Sequence, residues 1–385
     1  MRQTVVQDSR LTDRQRAFRS ELRAFLRSAA VTDAITRVRH YPPDQEAGLL
    51  DIYRWLGERG WLAPSWPTEY GGLGGGLAET AIVTEEMCLA GVPDDAHVLS
   101  IDIVGTFLLG VGTPEQRTQW LPSLARGERI AAVLFTEPGC GSDLSRLTTR
   151  AEPDGDGWRL YGTKVYNQKT QFADIALCAA RTSQGPVPFD GITLFLLPLR
   201  SPGVVTKPVE NITNDLFHEV VIDGVRLTDA DVVGTVGNGW QALNDMLVLE
   251  RTGIDFHAKL RRWLDGVAAR ALDDSELAVR YVDLDARLRA GHALAWRVIT
   301  ELAQDRPDPT TAAMAKWYVT ELARDTLRLC LDTTGVAGVL SVWDDEPTDL
   351  GLVETACRYA PTQRLGSGTS EVMLYIIASS ALELL

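Results

Sequence analysis

Apolar positions along the chain change their spacing twice. From Leu11 to about Arg129 the period is helical. Phe18, Leu22, Phe25 and Leu26 fall on one face behind Thr12, a residue type that caps helices, and Ile52, Trp55 and Leu56 repeat the spacing. Trp66-Pro67-Thr68-Glu69-Tyr70-Gly71-Gly72 interrupts the pattern as a loop, and helices resume over Glu79 to Ala90 and Ile101 to Val111. From Ile130 to about Val233 the period shortens toward two. Strands are expected over Ile130 to Phe135, Ile175 to Ala180, Ile192 to Leu197, Val204 to Val209 and Val220 to Ile222. Trp158-Arg159-Leu160-Tyr161 follows the turn Asp154-Gly155-Asp156-Gly157 as the second arm of a hairpin would. Turn residues rather than long helices separate these runs, which favours an antiparallel barrel or sandwich over a parallel sheet.

After Gly237-Asn238-Gly239 helical spacing returns. Trp240, Leu243, Met246 and Leu247 make one stripe, and Val279 to Leu302, Thr311 to Leu331 and Glu371 to Leu384 are long enough for a bundle. The expected architecture is therefore α+β: an N-terminal α-helical domain over 1–129, a middle antiparallel β domain over 130–235, and a C-terminal four-helix bundle over 236–385.

Composition narrows the function classes. A chain of 385 residues is too long for one ordinary core, and 45% hydrophobic with 23% charged residues is the balance of a globular protein. The first twenty residues are polar and mixed in charge, so no secretory signal is expected. The apolar run Gly191 to Leu197 stops at Pro198 and Arg200, far short of a bilayer span. A cytoplasmic protein is the default. The net charge of -14 argues against a broad basic face for nucleic acid or anionic membrane, so a polyanionic partner must find local lysines or arginines. Cys88, Cys140, Cys178, Cys330 and Cys357 are odd in number and form no CxxC pair, which reads as free, mostly buried thiols.

Several chemistries drop out on spacing. Gly71 to Gly76 is glycine-rich, but no strand precedes it and no acidic residue stands where a ribose ligand should, so it reads as a loop. His40, His97, His218, His257 and His292 are far apart with no HxxxH or HxH spacing, and no metal site is expected. No GxSxG elbow and no P-loop occurs. One segment holds. A strand runs straight into Thr136-Glu137-Pro138-Gly139-Cys140-Gly141-Ser142-Asp143, small, polar and glycine-rich. Such a turn exposes consecutive backbone N–H groups and hydroxyls, which suits a pyrophosphate or a flavin edge; it equally suits a tight strand-to-strand turn with an Asx cap.

That octapeptide resembles the TEPxxGSD signature of the acyl-CoA dehydrogenase family. Gly60-Trp61-Leu62 through Tyr70-Gly71-Gly72, Gly112-Thr113-Pro114-Glu115-Gln116 through Trp120-Leu121-Pro122, Gly162-Thr163-Lys164-Val165-Tyr166 and Gly368-Thr369-Ser370-Glu371-Val372 are similar to further family segments in the same order. The resemblance implies FAD as cofactor and an acyl thioester, on coenzyme A or a carrier protein, as substrate. It implies that Phe135 and Thr136 hold the flavin ring, and that Gly141 and Ser142 lie near the pyrophosphate and the mouth of the acyl channel. Tyr166 would flank the ring. Asn167-Gln168 stands where the family has Ile-Thr, so the Gln168 amide replaces the hydroxyl near flavin N5. Thr369 and Glu371 match nucleotide contacts, and Ser142 and Arg251 are placed toward the substrate.

Departures from the family pattern matter as much. No RxxFG segment stands between Ala268 and Arg280, and Asp332-Thr333-Thr334-Gly335-Val336-Ala337-Gly338 replaces a glutamine-rich GGxG turn. Branches with similar losses work as two-subunit assemblies, so a neighbouring chain would supply part of the FAD site. The base position of many members, the glutamate of Glu-Gly-Thr, is Ser367 here, and a serine without its own activator is no base at neutral pH. Another branch, the isovaleryl and long-chain types, carries the base on a helix that starts with Gly-aromatic and ends in Glu-Arg. Gly239-Trp240 through Leu249-Glu250-Arg251 fits, which implies Glu250 as base.

Three readings follow: an α,β-dehydrogenase that passes electrons to an acceptor such as an electron-transfer flavoprotein, a flavin oxidase or monooxygenase on the same fold, and a supporting subunit of a hetero-oligomer. A homo-oligomer, dimer or tetramer, is the assembly expected of the first.

Overall fold

The computed structural model describes residues 11–40, 47–213, 217–243, 251–341, 351–382 and 384. Helix α1 (Asp13–Leu26) starts at a reciprocal cap: the Thr12 hydroxyl accepts the Gln15 backbone N–H at 3.2 Å, and the Gln15 side-chain amide oxygen accepts the Thr12 N–H at 3.0 Å. It is followed by α2 (Ala29–His40), α3 (Ala47–Gly57) and the 66–72 loop, where a Cβ on Gly72 would lie 2.1 Å from the Trp66 carbonyl oxygen. Helix α4 (Leu77–Ala90) is buried continuously from Ala81 to Cys88, so it runs through the interior rather than along a face. The helix expected over 101–111 starts earlier. A short turn, α5 (Asp95–His97), continues through π-helical Val98–Gly105 into α6 (Thr106–Val111). The Trp66 ring packs onto the backbone there, since a Cβ on Gly105 would come within 2.1 Å of it. Helix α7 (Pro114–Ala125), capped by Thr113, leads into the sheet.

Among the described residues eight strands make one sheet: β1 (Ala131–Leu134), β2 (Arg150–Asp154), β3 (Gly157–Gln168), β4 (Ile175–Arg181), β5 (Ile192–Pro198), β6 (Val204–Val209), β7 (Phe217–Thr228) and β8 (Val232–Val233). Its order is β6-β7-β3-β2-β4-β5-β8, with β1 paired to β4. Most pairings are antiparallel, but β1 runs parallel to β4, with Ala131 opposite Ile175 and Leu134 opposite Cys178, and β2 meets β4 in parallel at Arg150 and Arg181. Parallel neighbours need a long crossover, and the β2–β3 hairpin inserted between β1 and β4 supplies it. Strand β2 escapes the hydrophobic pattern because Arg-Ala-Glu-Pro-Asp offers only Ala151 to the core, opposite Leu160. The expected hairpin turn at Asp154 to Gly157 does join β2 to β3.

The C-terminal part holds α8 (Ile254–Asp273), α9 (Ser275–Ala303), α10 (Pro309–Thr334), α11 (Gly351–Gln363) and α12 (Ser370–Ser380). Helix α10 packs against all four others. Residues 239–243 are helical, while Met246 and Leu247 of the expected stripe lie outside the described residues. Two main cores result. One runs from Leu22, Leu56 and Ile82 into the sheet at Leu134, Leu177 and Phe195, and takes in Ala295, Trp296 and Ile299 of α9. The other fills the bundle around Leu260, Leu264, Leu288, Val319 and Leu329. Beside the apolar join through α9, polar pairs also cross between the two parts: Glu85 of α4 meets His292 of α9 at 2.7 Å, and Lys259 of α8 meets Asp94 at 3.0 Å.

All five cysteines are free thiols, four of them buried and Cys357 half-buried. Among the described residues no helix is long and apolar enough to cross a membrane.

Candidate active site

The glycine-rich turn after β1 closes on itself. The Glu137 N–H donates to the Cys140 carbonyl at 2.9 Å and the Cys140 N–H returns to the Glu137 carbonyl at 3.1 Å, leaving Pro138 and Gly139 as an exposed tip. The turn is tight, and Gly141 and Ser142 beyond it stand exposed. A Cβ on Gly139 would meet nothing within 4 Å, so open space lies over the tip.

The Glu137 side chain points inward. One carboxylate oxygen accepts from Lys164 Nζ at 2.9 Å and from the Thr149 N–H at 2.8 Å; the other accepts from the Thr148 N–H at 2.6 Å and its hydroxyl at 2.7 Å. Burial alone would raise this carboxyl, but the Lys164 charge and the hydrogen bonds overcome it and hold the group at about 2. Lys164 is fully buried and also donates to the Phe135 carbonyl at 3.0 Å. One residue on, the Val165 N–H donates to the Thr136 carbonyl at 2.9 Å. The end of β1 and the middle of β3 are therefore bolted together through side chain and backbone.

Strand β3 then bulges. Its register against β7 shifts between Lys164 and Asn167, and Tyr166 sits in the left-handed region at φ 59 with 62% of its surface exposed. A bulky residue in that conformation costs on the order of 1–2 kcal/mol, and bulges of this kind re-aim a side chain. Here the bulge turns Asn167 inward, its amide donating to the His218 carbonyl at 3.2 Å, and leaves Tyr166 exposed, one residue on from the Val165 that bonds Thr136. Gln168 is half-buried at the strand's end. Phe135, Thr136 and Tyr166 are thus brought together by β1 and β3. An exposed ring held at a backbone cost, beside an open glycine turn, is a surface that a flat, hydrogen-bonding cofactor with a phosphate tail fits.

A second group forms in the bundle. Arg251 Nε donates to the Ser367 carbonyl at 3.2 Å. Ser367 and Gly368 are both left-handed, at φ 56 and 94, which turns successive carbonyls toward cations: buried Lys316 donates to the Gly368 carbonyl at 2.6 Å and to that of Gln363 at 3.0 Å. Thr369 caps α12, its hydroxyl accepting the Val372 N–H at 3.2 Å. Glu371 lies exposed in the first turn, where its own backbone N–H and the Thr369 hydroxyl hold its carboxyl below the usual range. Glu250 lies outside the described residues; its neighbour Arg251 is the last described point of that segment.

Glu137, Lys164 and Lys316 were assigned no role from sequence. The available signal was a lysine inside a strand, at Lys164, and another in an apolar helix stretch, at Lys316, since buried lysines require partners.

Comparison with known proteins gives the family. Family models of the acyl-CoA dehydrogenase N-terminal, middle and C-terminal domains match residues 12–128, 132–225 and 237–382. The chain is 29% identical over 397 residues to the acyl-CoA dehydrogenase FadE26 of Mycobacterium tuberculosis, covering 97% of this chain and 98% of that one. Among solved structures, the Tcur3481-Tcur3483 steroid ACAD superimposes with a TM-score of 0.88 at 29% identity, over 97% of this chain and 98% of that one. The ChsE4-ChsE5 complex from Mycobacterium tuberculosis gives 0.87 at 28% identity, over 97% and 98%. The chain belongs to the acyl-CoA dehydrogenase family, whose members are FAD-dependent oxidoreductases.

Proposed function

We propose that this chain dehydrogenates an acyl thioester between Cα and Cβ, with Glu250 as the base that takes the α-proton and electrons passing on to an electron-transfer flavoprotein. The observation that carries the base assignment is the bond from Arg251 to Ser367. It ties the residue after Glu250 to the turn whose first member occupies the family's other base position. Arg251, the residue after Glu250, thus stands beside Ser367, whose hydroxyl has no means of accepting the proton itself.

The residues divide the remaining work. Phe135 and Thr136 would hold the edge of the flavin, Tyr166 would cover its face, and the exposed Gly141-Ser142 backbone would receive the pyrophosphate while Ser142 also borders the substrate entrance. Gln168 would offer its amide near N5, and Arg251 would orient the thioester end of the substrate. Bound FAD supplies the two-electron acceptance of the β-hydrogen as hydride. Lys164 keeps the Phe135 carbonyl in place, so the hydrogen-bonding edge is set before the cofactor arrives.

A second chain completes the assembly in this reading. Thr369 spends its hydroxyl on capping α12, and beyond exposed Glu371 the apolar Leu374 and Tyr375 also face solvent. Those residues suit burial against a related subunit or a second copy, the arrangement named for the two-component relatives above.

Anaerobic mixing with a panel of acyl-CoA and acyl-carrier thioesters tests the proposal. Flavin absorbance should bleach with at least one thioester and stay oxidised in Glu250→Gln. Undiminished bleaching in that variant would remove Glu250 from the base role, and a colourless chain that gains FAD only on adding a partner subunit would favour the supporting-subunit reading.

A further inference from the structure

The seam between the N-terminal helices and the bundle brings together three side chains whose sequence positions give no hint of proximity. The ligand atoms of Glu85 on α4, His257 on α8 and His292 on α9 lie within 4.8 Å of one another. The two imidazoles face each other, ring centres 4.7 Å apart and tilted by 36°. Glu85 Oε1 stands 2.7 Å from His292 Nε2, while its other oxygen accepts from Arg19 at 2.6 Å.

The hydrogen bonds of this cluster do not close. Trp296 Nε1–H points at His292 Nε2 from 2.9 Å, the nitrogen that also faces the Glu85 carboxylate. One nitrogen cannot accept from the indole and donate to the carboxylate at once, so one contact lacks its proton. The Nδ1 of His257 is buried with no hydrogen-bond partner. Two imidazoles and a carboxylate with unspent lone pairs, enclosed and supplied by three rigid helices, form the donor set of a His₂-carboxylate metal centre.

We propose that Glu85, His257 and His292 bind one divalent transition-metal ion of the zinc class, with water as the remaining ligand. Coordination at about 2.0–2.2 Å asks the Glu85–His292 contact to open to roughly 3.3 Å, and the indole bond to His292 to be given up. Arg19, already on the distal oxygen of Glu85, would serve as the outer partner that fixes the carboxylate. The same arginine limits affinity: Arg19 and Arg23 already balance Glu85 and Glu86, so the ion's charge is only partly compensated, and micromolar rather than tighter binding is expected. The ligands come from α4 on one side of the seam and α8 and α9 on the other, so the ion would clamp the two parts together. None of the three is among the residues assigned above to the flavin or the substrate.

The tag-free, FAD-loaded protein, stripped with chelator and titrated with Co(II), should develop the ligand-field bands of a four-coordinate site at one ion per chain. Zn(II) should displace the cobalt and raise the thermal midpoint. His257→Gln and His292→Gln should each lower affinity at least tenfold while flavin content is retained. Absence of stoichiometric binding to the unmodified protein at millimolar Co(II) and Zn(II) overturns the proposal without recourse to any variant. So does binding of unchanged stoichiometry and affinity in either variant.

Discussion

Lys164 donates to Glu137 at 2.9 Å inside the protein, and the same ammonium holds the Phe135 carbonyl at 3.0 Å. The glutamate of the turn after β1 is thus no ligand for anything outside the chain. It is the internal anchor of that turn, and the lysine of β3 is its counter-charge. Removing one partner strands the other where water does not reach.

Lys164→Met is therefore expected to destabilise the fold by about 3–5 kcal/mol, the usual cost of leaving a buried charge unpaired. Denaturant titration measures it. Adding Glu137→Gln should recover part of the loss, because it removes the stranded charge while the amide oxygen still accepts from Thr148; a double variant as unstable as the sum of both singles would contradict the pairing.

The pH profile of stability should have two limbs of opposite slope. Glu137, held at about 2, contributes stability above its unfolded value near 4.3; that contribution is lost as pH falls from there toward 2. Asp102 behaves the other way: burial lifts it to about 6, with His97 opposing, so the folded state binds its proton more tightly and stability drops as pH rises through 4 to 6. Thermal midpoints across that range should flatten in Asp102→Asn, and a profile unchanged by the substitution would remove Asp102 from the account.

Tyr166 separates stability from cofactor binding. Tyr166→Gly relieves a left-handed tyrosine and should stabilise the flavin-free chain by about 1 kcal/mol while lowering its FAD content. Tyr166→Phe keeps the ring and should keep the flavin. Equal flavin content in the glycine variant would mean that the exposed ring covers nothing.

Much of the fold could be read because single residues carry local physics. Thr12 with Gln15 announces a helix start, and the Asp154 to Gly157 turn announces a hairpin, whatever surrounds them. Strand β2 could not be read, since its sequence is polar and only pairing with β3 makes it a strand. Nor could the parallel match of β1 with β4, which depends on where a hairpin between them is stowed. At the site, Phe135, Thr136 and Tyr166 were visible through resemblance, but the Glu137–Lys164 pair that supports them was not, because a buried charge is legible only once its partner is known. Glu85, His257 and His292 show the limit most plainly: three helices far apart in the chain must pack before their side chains have any relation.

The division into two apolar cores has a mechanical meaning. Where greasy surfaces interlock, separation exposes them and is resisted steeply; where the join is made of Glu85 with His292 and Lys259 with Asp94, water can replace each contact in turn. Separating the bundle from the helix-and-sheet body therefore asks for more than wetting those pairs, because Ala295, Trp296 and Ile299 of α9 must also leave the first core.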